Sequence, residues 1–179
     1  MFCHNGYMRI PGGYVKDYKG FQNITLEEVL AKSSNIGAYK IGMRVGTSRY
    51  MDYLRRFGFT KPTGILLPGE ERGWTAVPEN GINFSRITYW YGVVVTPLQI
   101  ACAYATIANE GVRMKPRLVK ALLANDGTVV REFPPERVER VVSVSTARKM
   151  CRALETVVCV FVVLSVCVGC HVARVLRGI

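Results

Sequence analysis

The sequence has few acidic residues and only two histidines. Its 179 residues include 13 Asp and Glu against 24 Lys and Arg, which gives a formal net charge of +11. His4 and His171 have no partners at the spacings that a catalytic triad or a metal site requires. The sequence also shows no internal repeat and no signal peptide, since residues 1–13 are polar and rich in glycine. We therefore expect neither a metal nor a cofactor.

The basic residues are scattered along the chain. No run of five occurs, and no RNA- or DNA-binding signature is present. We interpret the positive charge as a solvated surface and expect no nucleic-acid partner, while attraction to anionic lipid headgroups or cell-wall polymers stays open. With 49% hydrophobic residues, the chain can form one globular unit with an adequate core.

Four ordered segments carry the most information about function. Residues 25–37 (TLEEVLAKSSNIG) contain the tripeptide Ser33-Ser34-Asn35, and residues 96–101 (TPLQIA) follow further along the chain. The other two segments are residues 58–70 (GFTKPTGILLPGE) and residues 103–112 (AYATIANEGV). A Ser-x-Asn tripeptide alone occurs often by chance. The four segments in this order, however, resemble the transpeptidase domain of class B penicillin-binding proteins, and the resemblance covers about residues 1–158.

The resemblance implies a peptidoglycan D,D-transpeptidase, which cross-links stem peptides ending in D-Ala-D-Ala through a serine acyl-enzyme and is acylated by β-lactams. Such chemistry needs an activated nucleophile, a proton donor for the leaving amine and donors around the oxyanion. By this resemblance, Ser33 relays a proton as the second serine of the site, Asn35 holds the amide backbone of the substrate, and Ser34 is the variable middle residue. Without the flanking match, the favoured interpretation is a structural one, in which Ser33 caps a helix end and Asn35 starts the next helix.

The resemblance also implies a location. The parent protein is expected to be anchored in the bacterial inner membrane, with its transpeptidase domain in the periplasm or outside the cell. We expect the anchor to be absent from this chain. Whether the parent acts in division or in elongation, and whether it joins a cell-wall synthesis complex, stays open.

Two motifs of this family are absent from the sequence. No serine is followed three residues later by lysine, and no Lys-Thr-Gly occurs. Residues 61–64 (KPTG) come close, but the extra proline favours a turn over a strand edge, so we interpret them as a loop. Lys32 and Lys40 do not follow a serine at this spacing, and we interpret both as solvated charges. We therefore expect the chain as it stands to be inactive.

Capping signals and hydrophobic periodicity predict several helices. Thr25 and Glu28 form a capping box for a helix that runs towards Ser33. A second helix is predicted to end at Gly46, and a third to run over residues 48–58. Residues 60–83 are rich in Gly and Pro and predict irregular structure.

The second half of the chain combines helices with a hairpin. A capping box at Thr96, followed by Pro97, predicts a helix that ends near Gly111, and its nearly all-apolar surface predicts burial. Residues 125–127 (NDG) predict a turn between strands over residues 118–124 and 128–133. A helix over residues 145–156 follows. We interpret the aromatic residues 89–91 (YWY) as packing under a loop.

The expected fold class is α+β. By resemblance, residues 1–156 form a partial transpeptidase domain with an incomplete penicillin-binding protein and β-lactamase-like serine transpeptidase fold, mostly its helical lobe with a small β-hairpin. The parent fold packs helices on both faces of a five-stranded antiparallel sheet. Because this chain has few of those strands, we expect exposed apolar helix faces and low stability.

The last part of the chain has a different composition. Residues 157–170 (VVCVFVVLSVCVGC) contain no charge. This uncharged run is shorter than the roughly 20 apolar residues of a membrane-spanning helix. We interpret residues 157–179 as an apolar Val- and Cys-rich tail that is not native to the domain, produced by a frame change or a truncated gene model. Cys167, Cys170 and His171 match a haem-attachment pattern that we consider coincidental. The alternative function is a non-catalytic, basic, membrane-associated protein anchored by this tail.

Overall fold

A computed structural model describes residues 1–75, 78, 81–89 and 92–164. The described residues combine short helices with small strands, as expected for an α+β protein. In chain order the elements are β1 (Tyr7–Ile10), β2 (Gly13–Lys16), α1 (Leu26–Ala31), α2 (Asn35–Val45), α3 (Thr47–Phe57), β3 (Trp74–Thr75), α4 (Gly81–Ile87), β4 (Val93–Val94), α5 (Pro97–Ala108), β5 (Val112–Met114), β6 (Ala121–Leu123), β7 (Val129–Glu132), β8 (Arg137–Arg140) and α6 (Val144–Leu164).

The strands form four separate antiparallel pairs. These are β1 with β2, β3 with β4, β5 with β8, and β6 with β7. The β6–β7 pair confirms the predicted hairpin, with Gly127 at a φ of +85° in its turn. The described residues build no larger sheet, so the helices have only small ladders to pack against.

A hydrophobic core joins the amino-terminal hairpin to α1 and α2. Its buried side chains come from both strands, both helices, the segment between β2 and α1 and the residues before β1: Cys3, Met8, Val15, Phe21, Ile24, Val29 and Ile36. Tyr39, Ile41 and Tyr89 pack against this core from its edge. The hairpin is thereby fixed against the junction between α1 and α2, where the tripeptide of residues 33–35 lies.

The capping predictions are confirmed. The Thr25 hydroxyl accepts a hydrogen bond from the Glu28 N–H at 3.1 Å, and the Glu28 carboxylate accepts one from the Thr25 N–H at 2.9 Å. Thr96 and Gln99 form the same reciprocal pair at the start of α5. Two strong local signals thus begin helices where the sequence places them.

The predicted burial of α5 is wrong for much of its surface. Only Gln99, Ala103 and Thr106 of this helix are buried, while Ile100 is 40% exposed and Tyr104 is 55% exposed. The physical reason is that α5 packs against α3, β5 and α6, while the described residues leave the face that carries Ile100 and Tyr104 largely uncovered.

Several further elements differ from the sequence predictions. The β1–β2 hairpin was not predicted, and β3 and α4 interrupt the stretch that was expected to be irregular. Helix α6 continues past residue 156 to Leu164.

Some residues named in the sequence analysis lie outside the described residues: Trp90, Tyr91, Cys167, Cys170 and His171. No helix in the described part of the chain has both the length and the apolar character needed to cross a bilayer.

Two glycines allow α2 to approach its neighbours closely. A Cβ at Gly37 would lie 2.5 Å from Val29 Cγ2 on α1, and one at Gly42 would lie 2.3 Å from Thr88 Cγ2 just after α4. Both distances are shorter than any real Cβ contact. Helix α2 is therefore held against both neighbours at positions where only glycine fits.

We predict that Gly37→Ala destabilises the chain although alanine favours helices. Overpacking against Val29 outweighs the gain in helix propensity, for a net loss of about 1–2 kcal/mol in the free energy of unfolding. Urea denaturation followed by circular dichroism measures it. The loss should shrink in a Val29→Ala background, where the clash is relieved. An equal loss in both backgrounds would contradict the packing account.

Candidate active site at residues 33–35

Helix α1 ends in a turn that exposes Ser33 and Asn35 on either side of the buried Ser34. Lys32 is the C-cap residue, and the next two N–H groups bond back into the helix: Ser33 to the Leu30 carbonyl at 3.2 Å and Ser34 to the Val29 carbonyl at 3.0 Å. This pair of bonds is the Schellman arrangement, in which the residue after the C-cap adopts a left-handed conformation.

Ser33 occupies that left-handed position. Its φ of +48° is a conformation in which glycine is favoured and a residue with a Cβ is strained by roughly 1–2 kcal/mol. Its side chain is exposed. A strained, exposed serine is an observation that points to function, because such conformations cluster at active sites and ligand clamps.

Ser34 is buried and caps α2. Only 2% of its surface is exposed, and its hydroxyl oxygen accepts a hydrogen bond from the Gly37 N–H at 3.0 Å. The same hydroxyl donates to Asp17 Oδ2 at 2.8 Å and lies 3.6 Å from Cys3 Sγ. The position that the resemblance treats as the variable middle residue is therefore the structural anchor of the turn.

Asn35 is the first residue of α2, and its side chain is exposed. Its amide nitrogen, Nδ2, donates a hydrogen bond to the Lys16 carbonyl at 2.9 Å. This bond fixes the orientation of the carboxamide. The side-chain oxygen has no hydrogen-bond partner among the described residues, so it can accept a bond from an incoming N–H group.

An ion pair lies along α1 next to this turn. Lys32 Nζ lies 2.5 Å from Glu28 Oε1. The hydrogen bond from Lys32, together with that from the Thr25 N–H, holds the pKa of Glu28 below its ordinary value of 4.5. The ammonium group of Lys32 therefore takes part in a partly exposed ion pair.

Lys40 also differs from a simple solvated charge. Its Nζ donates to the Phe2 carbonyl at 2.6 Å and lies 2.9 Å from His4 Nε2.

Residues 61–64 are irregular, as predicted, and the Glu70 carboxylate accepts hydrogen bonds from the Thr63 and Gly64 N–H groups. A side-chain hydrogen bond from Thr63, together with these backbone bonds, lowers the pKa of Glu70. The backbone bonds also close the loop.

An open cavity of about 430 Å³ adjoins Asn35. Besides Asn35, its walls are formed by the second strand and the α4 region: Tyr14, Val15, Lys16, Arg86 and Tyr89. Lys16 Nζ lies 5.0 Å from the centre of the Tyr14 ring, so one wall combines a cation with an aromatic face. Asn35 lines this cavity, whereas Ser33 does not.

The turn therefore presents the Ser33 hydroxyl and the Asn35 carboxamide. Hydrogen bonds to α1 on one side and within α2 on the other hold its backbone. These groups can bind an amide backbone or pass a proton between neighbouring groups. In the described part of the chain, no hydrogen bond joins the Ser33 hydroxyl to a lysine or a histidine. Sequence reasoning identified Ser33 and Asn35 but missed Lys16 and Asp17, since no local pattern links positions so far apart in the sequence.

Comparison with known proteins identifies the family. Residues 2–160 match the family described as "Penicillin binding protein transpeptidase domain". The chain is 38% identical over 157 residues to penicillin-binding protein PbpB of Mycolicibacterium smegmatis, covering 86% of this chain and 24% of that protein. It is 34% identical over 151 residues to peptidoglycan D,D-transpeptidase FtsI of Escherichia coli K12, covering 83% and 24%. The chain thus spans about a quarter of the length of these curated relatives.

Solved structures give the same result. The crystal structure of penicillin-binding protein 3 from Mycobacterium tuberculosis in complex with aztreonam matches with a TM-score of 0.76 and 38% identity, over 86% of this chain and 35% of that one. The transpeptidase domain of penicillin-binding protein 3 from Burkholderia pseudomallei matches with a TM-score of 0.76 and 32% identity, over 88% and 46%. The expected partial penicillin-binding fold is therefore confirmed.

We predict that Ser33→Gly stabilises the chain. Glycine removes the cost of the left-handed conformation, so the free energy of unfolding should rise by about 1 kcal/mol. Ser33→Ala keeps the Cβ and the cost, so its free energy of unfolding should stay close to that of the unchanged chain. Urea denaturation of the three proteins measures the difference. Equal stability of the Gly and Ala variants would show that Ser33 is not strained.

Proposed function

The chain belongs to the penicillin-binding protein transpeptidase family, and we propose that it is part of a peptidoglycan D,D-transpeptidase. In this proposal the parent enzyme cross-links stem peptides that end in D-Ala-D-Ala and forms an acyl-enzyme on a serine. The observation that carries the proposal is the turn of residues 33–35, which holds Ser33 in a strained conformation and exposes it beside an oriented Asn35.

We assign separate roles to the two exposed side chains. The Ser33 hydroxyl relays a proton between the lysine of the family's Ser-x-x-Lys motif and the leaving amine, since a hydroxyl can accept one proton while it donates another. Asn35 binds the amide backbone of the substrate through its side-chain oxygen, because its nitrogen is already bonded to the Lys16 carbonyl. The cavity beside Asn35 supplies space for the adjoining part of the peptide.

β-Lactams are the proposed inhibitors of the parent enzyme. A structural relative has been crystallised with aztreonam, and this chain is 38% identical to it over the matched region.

We propose a parent enzyme that is anchored in the inner membrane, with the transpeptidase domain on the outer side of that membrane. We also propose that residues 157–179 are foreign to the native domain.

The chain itself lacks the group that forms the covalent bond. Its sequence contains neither the Ser-x-x-Lys nucleophile nor the Lys-Thr-Gly strand of the family. Without the nucleophile, a well-formed substrate cleft supports no acyl transfer. We therefore assign binding and proton-relay groups to this chain and place the nucleophile elsewhere in the parent enzyme.

We predict that the 179-residue chain is not labelled covalently by a fluorescent penicillin. The missing serine nucleophile is the reason. Denaturing gel electrophoresis after incubation with the reagent measures labelling, with full-length M. smegmatis PbpB as the positive control. A fluorescent band from this chain that disappears when the protein is boiled before incubation would contradict the assignment.

A hybrid protein tests the two assigned roles. In this hybrid, residues 1–156 of this chain replace the matching segment of full-length PbpB, so that the host supplies the two missing motifs. We predict that the hybrid is acylated by fluorescent penicillin and that Ser33→Ala or Asn35→Ala lowers its acylation rate about a hundredfold or more. The melting temperature of each variant serves as the check on folding.

Exposed residues of the same types provide matched controls. Ser48 lies on α3 and Asn125 in the β6–β7 turn, and both are exposed. Ser48→Ala and Asn125→Ala should leave the acylation rate unchanged. Normal acylation in the Ser33 and Asn35 variants, at an unchanged melting temperature, would refute the roles that we assign.

A further inference from the structure

We propose that Asp17 is a positioning residue of the candidate active site. Its carboxylate holds the turn of residues 33–35 in the conformation that exposes Ser33 and Asn35, without contacting the substrate itself. This inference rests on the proposed function for its catalytic consequence, whereas the structural part stands on the geometry alone.

The Asp17 carboxylate bridges two groups at the start of α2. Oδ1 accepts a hydrogen bond from the Ile36 N–H at 3.0 Å, and Oδ2 accepts one from the Ser34 hydroxyl at 2.8 Å. The Ile36 N–H is one of the four helix N–H groups that have no partner within the helix. A negative charge at this end of α2 is also favoured by the helix dipole.

The bridge fixes the rotation of the Ser34 side chain. The Ser34 hydroxyl donates its hydrogen to Asp17, so a lone pair of the same oxygen is directed towards the Gly37 N–H. The oxygen accepts a hydrogen bond from that N–H at 3.0 Å. The adjacent Lys16 carbonyl accepts from Asn35 Nδ2 at 2.9 Å. Residues 34, 35 and 36 are thus each bonded either to Lys16, the last residue of β2, or to Asp17, which follows it.

The support for Asp17 is itself rigid. β2 pairs with β1 over all four of its residues, and Val15, at 3% exposed, inserts into the hydrophobic core. The Asp17 N–H donates to the Gly6 carbonyl at 3.1 Å, which continues this pairing beyond the strand. The carboxylate therefore holds the turn of residues 33–35 in a fixed position relative to the packed hairpin.

The turn needs such a restraint because one of its residues is strained. Ser33 would gain roughly 1–2 kcal/mol by leaving its left-handed conformation. The two bonds to Asp17 oppose that relaxation, since they fix the residues that follow Ser33 directly. Loss of the carboxylate should let the turn shift, which displaces the Ser33 hydroxyl and the Asn35 carboxamide together.

The hybrid protein allows a direct test with Asp17→Ala and Asp17→Asn. Asp17→Ala removes both acceptors, whereas Asp17→Asn keeps one acceptor for the Ile36 N–H and loses the charge. Asp52→Ala is the control for loss of a surface carboxylate, because among the described residues Asp52 pairs only with exposed Arg55 on α3. Glu139→Ala is the control for destabilisation, because it breaks the ion pairs with Arg56 and Arg113 away from the turn.

Two measurements separate positioning from folding. Hydrogen exchange of the Ile36 and Gly37 amides reports on the bridge, and stopped-flow labelling with fluorescent penicillin gives both the rate constant and the final amplitude. Asp17→Ala should speed exchange at both amides and lower the rate constant about 10–100-fold at full amplitude, since small displacements cost that much. Asp17→Asn should give an intermediate rate constant. Asp52→Ala should change neither quantity, and Glu139→Ala should lower at most the amplitude.

A double substitution gives the sharpest readout. In the Asn35→Ala background, Asp17→Ala should lower the rate constant much less, because its effect passes through the turn that is already impaired. Fully additive losses, an unchanged rate constant in Asp17→Ala, or equal losses in Asp17→Ala and Glu139→Ala would each overturn the inference. Unchanged exchange at Ile36 in Asp17→Ala would also overturn it.

Failure of the proposed function is distinguishable from failure of this inference. If the unsubstituted hybrid is not labelled while PbpB is, the proposed function is wrong. The exchange experiment then decides the structural claim alone: faster exchange at Ile36 in Asp17→Ala supports the bridge, and unchanged exchange overturns it.

Discussion

The junction between the end of β2 and the first turn of α2 is the contact on which the candidate site depends. The site residues lie on a surface turn, and a short turn between two helices has little rigidity of its own. Asp17 and the Lys16 carbonyl connect this turn to a hairpin that is packed into the hydrophobic core. Burial of the hairpin therefore fixes the position of two exposed polar side chains.

The site combines opposite demands on neighbouring residues. Ser33 is strained and exposed, whereas Ser34 is buried and fully hydrogen-bonded. The strain is tolerated because the flanking backbone is over-determined by the Schellman bonds on one side and by the cap of α2 on the other. Stability at Ser34 thus permits an unfavourable conformation at Ser33, which is a common arrangement where activity and stability compete.

Local signals in the sequence predicted the parts of the fold that depend on neighbouring residues. The capping boxes at Thr25 and Thr96, and the turn that contains Gly127, lie where the sequence placed them, since each depends on residues within four positions. The β1–β2 hairpin was missed although Pro11 and Gly12, with Gly12 at a φ of +78°, form a turn between short alternating segments.

Features that depend on distant residues could not be predicted. The contact between Asp17 and Ser34 joins positions 17 residues apart through tertiary packing, so no periodicity or spacing rule reports it. The exposed face of α5 shows the same limit, because an apolar helix predicts burial only where a partner covers it. Family resemblance proposed Ser33 and Asn35 as site residues, and the structure added the left-handed backbone of Ser33 and the hydrogen bond from Asn35 to the Lys16 carbonyl.

The most direct test is a crystal structure of the hybrid protein after acylation by aztreonam. The account predicts that Asn35 lies within hydrogen-bonding distance of an amide of the ligand and that the Ser33 hydroxyl faces the acylated serine. It also predicts a left-handed Ser33 and an intact bridge from Asp17 to Ser34. An acyl group bound away from this turn, or a Ser33 relaxed to negative φ with the bridge broken, would contradict it.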